Sequence, residues 1–338
     1  MAAAVAPART ARAFKPAPAA LSSISDKATS GWKRDLAENG YVVLKGAIPL
    51  DRALGYRDKA YEWLQSFGTN LDFDDPSTWT KSNLPIHSCI NTFSRYSVCH
   101  EKFVWDARLE PGVVDTFAEI WGTNELLVSF DALNVTFPNR KDVVPRPPWE
   151  HVDQSPLRRG LNCIQGIINL SPAGPNDGGL VVYPGSHRLV EHFFDVETDS
   201  TTWKPDDIYE FSREELSWFE SKGLSPVKVC AEPGDLIIWD SRTIHYGSVP
   251  SPESTQIRTV IYAAYAPASL ASSEQLALKK QVFEKYGGTT HWPHDNIKIR
   301  ETRALFEDGT RDPRDRETPR ELPEKTDKLL KLAGALPY

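Results

Sequence analysis

"ELLVSFDALNVTF", residues 125–137, marks a change in the texture of the chain. It is rich in Leu, Val and Phe and reads as strand. The same texture returns in "NCIQGIINL" (162–170), "GGLVVYP" (178–184), "SPVKVC" (225–230), "GDLIIWD" (234–240) and "RTVIYAAYA" (258–266). Gly, Pro, Asn and Asp turns separate these runs. Short strands at such intervals predict an antiparallel sandwich or barrel over about residues 126–266. Residues 190–225 interrupt it with a short helix near Glu214–Ser221.

The flanks read differently. "DLAENGYVVLKGAI" (35–48) is a helix end, a Gly40 cap and a strand Tyr41–Leu44. Asp51–Phe67, Glu110–Trp121 and Ser273–Tyr286 have helical spacing. The fold class expected is mainly β with flanking helices. The domain reading is residues 26–299 as one unit, with a polar extension at 300–338 wrapped on the surface or partly disordered. Residues 1–25 hold Arg9, Arg12 and Lys15 and no acid. They read as a disordered Ala/Pro tail, because Pro7, Pro16 and Pro18 interrupt an amphipathic helix. An organellar transit peptide is the alternative to a cytoplasmic location.

A net charge of −7 over 338 residues argues against a nucleic-acid partner. No apolar run approaches a membrane span. The four cysteines (Cys89, Cys99, Cys163, Cys230) are scattered without a CxxC pair, and read as reduced, buried thiols. The sequence does not set the oligomeric state.

The chemistry concentrates in "PPWEHVDQSP" (147–156). Its prolines exclude a helix interior and favour extended backbone. His151 and Asp153, two apart in such a segment, point to one side. Two histidines and a carboxylate with open positions opposite suit a non-haem Fe(II) that activates dioxygen. A second histidine must then come from a strand distant in sequence. "EPGDLIIWDSRTIHYGSV" (232–249) offers His245, after a turn and a strand. Arg258, on the next strand, can enter the same cavity, where a buried guanidinium needs an anion such as a dicarboxylate's far end.

Read in order, HxD, "DGGLVVYPGSH" (177–187), then "GD…H" and an Arg a dozen residues on, this chain resembles the phytanoyl-CoA dioxygenase (PhyH) family. The resemblance covers roughly residues 35–270 and is strongest over 130–265. It implies a double-stranded β-helix (jelly-roll, cupin-like) core and an oxidoreductase that uses Fe(II), 2-oxoglutarate and O2. It assigns His151, Asp153 and His245 to iron and Arg258 to the distal carboxylate of 2-oxoglutarate. It places Gln165 and Ser248 near the cosubstrate, although Ser248 is displaced by one residue from the family position. Halogenating relatives lack the carboxylate that Asp153 supplies, so oxygenation is implied over halogenation.

The expected reaction is hydroxylation of a small organic substrate, a secondary metabolite or acyl-CoA, with release of succinate and CO2. Asn134, Phe137, Trp149, Gln154 and Tyr183 are the candidates for the substrate side. A cupin-like isomerase or lyase without 2-oxoglutarate and a non-catalytic binding protein are the rival readings. His187 reads as a brace for the Pro184–Gly185 turn. His291 and His294 are separated by Pro293, which argues against a shared helical face. Arg158 and Arg159 read as a solvated pair, with attraction of an anionic substrate as the alternative.

Overall fold

The computed structural model describes residues 31–300 and 302–338, so the reading of residues 1–25 lies outside the described residues. Thirteen strands form two antiparallel sheets among them. In chain order they are β1 (Tyr41–Leu44), β2 (Thr92–Phe93), β3 (Leu126–Val128), β4 (Leu133–Thr136), β5 (His151–Val152), β6 (Ile164–Asn169), β7 (Gly179–Val182), β8 (Tyr209–Glu210), β9 (Val227–Lys228), β10 (Leu236–Asp240), β11 (His245–Ser248), β12 (Arg258–Tyr262) and β13 (Tyr265–Pro267). The larger sheet runs β1-β10-β6-β12-β4-β2, with β13 pairing β3 and β6. The smaller runs β8-β5-β11-β7-β9. Strands close in sequence alternate between the sheets, as β4 to β7 do. This is the double-stranded β-helix.

Strand alternation sorts the side chains into two cores. In β10, Leu236 and Ile238 join the large core on the outer face of the big sheet, while Ile237 and Trp239 face the other sheet. In β6, Ile164 and Ile168 point out, while Ile167 points in, on the face that Gln165 shares by its spacing of two. In β12, Ile261 points out and Val260 points in. Arg258, two residues before Val260, therefore faces the smaller sheet. Ile167, Leu180, Val182, Val229, Ile237 and Val260 make the dry seam between the sheets. Burial of such a side chain is worth about 1.5–3 kcal/mol, so this seam can hold the sheets together while one end stays polar.

Helices cover the outer face of the large sheet. Pro111–Trp121 buries Val113, Phe117 and Ile120 there, and Leu50–Gln65 adds Trp63 and Leu64. Pro111 opens its helix and Gly122, with φ 67°, closes it. The polar stretch after residue 300 contributes to the same core. Its helix Asp327–Leu332 buries Leu329 and Leu332, and the Tyr338 hydroxyl donates to the Leu126 carbonyl at 2.6 Å. The insertion between β7 and β9 folds into helices Val190–Glu197 and Arg213–Ser221. They close an aromatic cluster, including Phe193, Phe211 and Phe219, over the far face of the small sheet. Among the described residues no helix is long and apolar enough to cross a membrane.

Candidate active site

The site sits at the polar end of the seam. His151 opens β5 and pairs directly with His245, which opens β11. Their ring centroids are 4.3 Å apart. Asp153 follows two residues after His151, so it returns to the same side, while Val152 between them enters the aromatic cluster on the opposite face. Asp153 Oδ2 lies 3.2 Å from His245 Nε2, and Oδ1 lies 3.6 Å from His151 Nε2. The ligand atoms of these three side chains all fall within 4.8 Å of one another.

The donor set fits a divalent metal. His151 Nδ1 lies 2.9 Å from the Trp149 carbonyl, and His245 Nδ1 lies 2.8 Å from the Thr243 carbonyl. A carbonyl only accepts, so each Nδ1 carries a proton and Nε2 is the ring atom turned inward that can serve as a ligand. Burial, then the neighbouring His245, pushes His151 down to about 4, which keeps it neutral. Burial alone would raise the Asp153 carboxyl, but His291, His151 and His245 together hold it below the usual carboxylate range. Two imidazoles and one carboxylate are the facial set that suits Fe(II).

Gln165 braces this set. Its amide Nε2 donates to Asp153 Oδ2 at 2.8 Å, which assigns it to the ligand carboxylate. Trp149 stacks on His151, and Trp239 meets His245 edge-on at 5.5 Å. Behind the triad, Arg258 is 5% exposed, and its Nη1 donates to Asn134 Oδ1 at 3.1 Å. Asn134 in turn is fixed by the Thr136 hydroxyl and by the Ile90 carbonyl. It thus orients the arginine and also lines the cavity. Ser248 lines the same cavity and donates to the Gly179 carbonyl at 3.1 Å.

A cavity of about 270 Å³ contains the triad, Trp149, Gln165, Trp239 and Arg258. The buried Nε1 atoms of Trp149 and Trp239 and the Nε2 of His291 have no protein partner there. Orphaned polar atoms at one cavity indicate a polar ligand. A larger chamber of about 1110 Å³ adjoins it and shares Asn91, Thr136, Arg146 and Val249 with it.

Three substrate candidates are not at the iron cavity. Phe137 packs against Phe73 and Trp79 and reaches only the outer chamber, because Thr136 before it takes the inward position on β4. Gln154, one residue beyond Asp153, alternates away and donates to the Gly160 carbonyl. Tyr183, one residue beyond the inward Val182, is buried in the aromatic cluster under the insertion. Of the five, Trp149 and Asn134 line the cavity.

Other readings also shift. His291, to which the sequence gives no role, lines the cavity and acts on Asp153. His294 is buried beside Trp292, away from the triad. His187 Nε2 donates to the Ala37 carbonyl, so it ties down the first helix rather than its own turn. Arg158 is not solvated: it is buried against Asp207 and Asp295. Arg159 is exposed and pairs with Asp195. Cys99 and Cys163 are buried, but Cys89 and Cys230 are exposed, and Cys89 stands at the junction of the two cavities.

A jelly roll with two inward histidines, one carboxylate and a buried arginine behind them defines a mononuclear non-haem iron oxygenase that takes a 2-oxo acid. The chain belongs to the phytanoyl-CoA dioxygenase (PhyH) family, whose pattern matches residues 36–258. It is an oxidoreductase with Fe(II), 2-oxoglutarate and O2 as its cofactor and cosubstrates.

Ava biosynthesis cluster protein O of Aspergillus versicolor is 39% identical to it over 268 residues, which is 78% of this chain and 86% of that protein. The crystal structure of GlcNAc Inducible Gene 2 from Candida albicans shares the fold, with a TM-score of 0.59 and 13% identity, over 94% of this chain and 79% of that one. The epimerase SnoN, crystallised with Fe3+, alpha ketoglutarate and nogalamycin RO, has a TM-score of 0.48 and 17% identity, over 75% of this chain and 85% of that one.

Proposed function

We propose that the enzyme hydroxylates a secondary metabolite. The carrying observation is the joint placement in one cavity of the His151, Asp153 and His245 donors and of Arg258, which meets no carboxylate among the described residues. The balance is one C–H bond of the substrate, O2 and 2-oxoglutarate giving C–OH, succinate and CO2.

When bound, iron and the 2-oxo acid supply the oxygen activation that protein side chains cannot. The chain's own residues do the rest. The two Nε2 atoms and the Asp153 carboxylate would hold the metal. Arg258, aimed by Asn134, takes the far carboxylate of the 2-oxo acid as a two-pronged donor. Gln165 fixes the Asp153 carboxylate and so keeps the donor set in shape. Ile167, Leu180 and Trp239 line the inner wall with apolar surface and limit water.

The outer chamber supports a substrate of some size, since sites for drug-sized ligands run roughly 300–1,000 Å³. Its basic residues favour a metabolite over an acyl-CoA. Arg140 pairs with Asp142, Lys81 with Glu307 and Arg314 with Asp312, which leaves Arg146 as the one of these cations with no ion pair among the described residues. A phosphate-rich coenzyme calls for more free cations than that. The name of the 39%-identical relative, a biosynthesis cluster protein, supports the same reading.

The test is succinate release under air with Fe(II), ascorbate and a panel of candidate metabolites. Succinate should accompany hydroxylated product one to one and vanish in His245→Ala. Undiminished succinate in that variant, or product without succinate, would contradict the proposal.

A further inference from the structure

Lys228 stands beside Arg258 and has no ion pair among the described residues. A Cβ built on Gly179 would fall 2.7 Å from Lys228 Nζ and 3.3 Å from Arg258 Nε. Both cations thus border the small space that the missing side chain of Gly179 leaves. Gly179 has φ 155°, a conformation that glycine adopts without strain. Lys228 Nζ donates to Ser248 Oγ at 3.2 Å, and Ser248 donates onward to the Gly179 carbonyl. Among the described residues, the polar contacts of Lys228 and Arg258 are therefore Ser248 and Asn134, both neutral. Two partly desolvated cations side by side are unfavourable unless an anion joins them.

We infer that Lys228 is a second cation of the cosubstrate site, which holds the distal carboxylate of 2-oxoglutarate together with Arg258. The inference rests on the 2-oxoglutarate reading above and adds a residue to it. Lys228 comes from β9 at the edge of the small sheet, and Arg258 from β12 of the large one, so the two sheets clamp one carboxylate between them. Ser248, displaced from its family position, then serves to aim the lysine.

A pH dependence follows. Burial, then the charge of Arg258, pushes Lys228 down to about 7. The charged and titratable groups that act on it are Arg258 from β12, the Cys230 thiol next to β9 and Asp177 from the turn before β7. Above that pH the free lysine is largely neutral, and an arriving carboxylate must recharge it. Affinity for 2-oxoglutarate is then greatest below pH 7 and falls above it, by up to about tenfold per pH unit.

The experiment is anaerobic titration of 2-oxoglutarate into the Fe(II)-loaded protein, by calorimetry at pH 6.5 and 8.5 in buffers of different ionisation heat. Wild type should bind at least tenfold more weakly at pH 8.5 and take up protons there. Lys228→Met should bind about tenfold more weakly at pH 6.5 and lose the pH dependence. Lys228→Arg should restore affinity at both pH values without proton uptake. 2-Oxobutanoate, which has no distal carboxylate, should bind wild type and Lys228→Met alike. A Lys228→Met protein with wild-type affinity and slope overturns the inference alone. Iron-loaded wild type that binds no 2-oxoglutarate overturns the proposed function and this inference with it.

Discussion

The indole of Trp149 lies flat on the imidazole of His151, with ring centroids 3.9 Å apart and planes 9° from parallel. The Arg146 guanidinium sits 4.0 Å from the centroid of the same indole. The prolines at 145, 147 and 148 hold this segment extended and so place both residues. The stack fixes the ring plane of a metal ligand from one side, while the Nδ1 hydrogen bond fixes it along the edge. Trp149→Ala should weaken Fe(II) binding about 10–100-fold, the range found when supporting partners of a ligand are removed. Trp149→Phe, which keeps a stacking face, should lose much less. Metal titration of both variants checks this, and equal losses would show that the stack itself does nothing.

Gln165→Leu removes the donor to Asp153 at nearly constant volume. Metal affinity should fall about tenfold or more, with little change in thermal stability. Gln165→Glu should be worse, since it places a second carboxylate against the first. Unchanged affinity in both variants would mean that the 2.8 Å contact is incidental.

Acid should destabilise the protein through two histidines far from iron. His100 is fully fixed as a neutral ring: Nε2 donates to the Gly287 carbonyl at 2.9 Å and Nδ1 accepts from Trp105 Nε1 at 3.2 Å. Burial pushes it down to about 3, and burial likewise pushes His294 down to about 4. An unfolded histidine titrates near 6.5. Between these values the unfolded chain binds more protons, so stability is full above about pH 6.5 and falls as pH drops toward 4. The loss should be on the order of 2 kcal/mol per histidine by pH 5. Urea unfolding at pH 7.5 and 5 checks the sign, and a midpoint that does not move would contradict it.

Arg158 is buried between Asp207 and Asp295, with its guanidinium 4.3 Å from the Trp292 ring. Arg158→Leu removes the guanidinium from the buried Asp207 carboxylate and should cost about 3–5 kcal/mol. Adding Asp207→Asn should recover part of that cost. A single variant as stable as wild type would show that water relieves the site.

The strands and the clustering of His151, Asp153 and His245 were legible because each has a local signal. The apolar runs name the strands, and period two places His151 and Asp153 on one side. His245 and Arg258 follow from the turn-and-strand spacing after "GD". The cavity walls were only partly legible, because a face can be assigned only once register is known. Gln154 and Tyr183 look close to the motif in sequence, yet each lies one residue past an inward position and so turns away. Lys228 gave no signal at all: it meets Arg258 only because β9 and β12, in different sheets, converge at Gly179. The helix at Asp327–Leu332 hid in a charged stretch, and three-dimensional contact with the large core reveals its apolar side.

The most direct test needs no substrate. Ferrous iron chelated by a 2-oxo acid absorbs visible light, and the band can be followed anaerobically as 2-oxoglutarate is added to the Fe(II)-loaded protein. Wild type should develop it at one equivalent of iron. His151→Ala, Asp153→Ala and His245→Ala should not, and Arg258→Met should need far more 2-oxoglutarate to reach it. A wild-type protein with no band, or a His245→Ala protein with the full one, would contradict the assignment of the iron site.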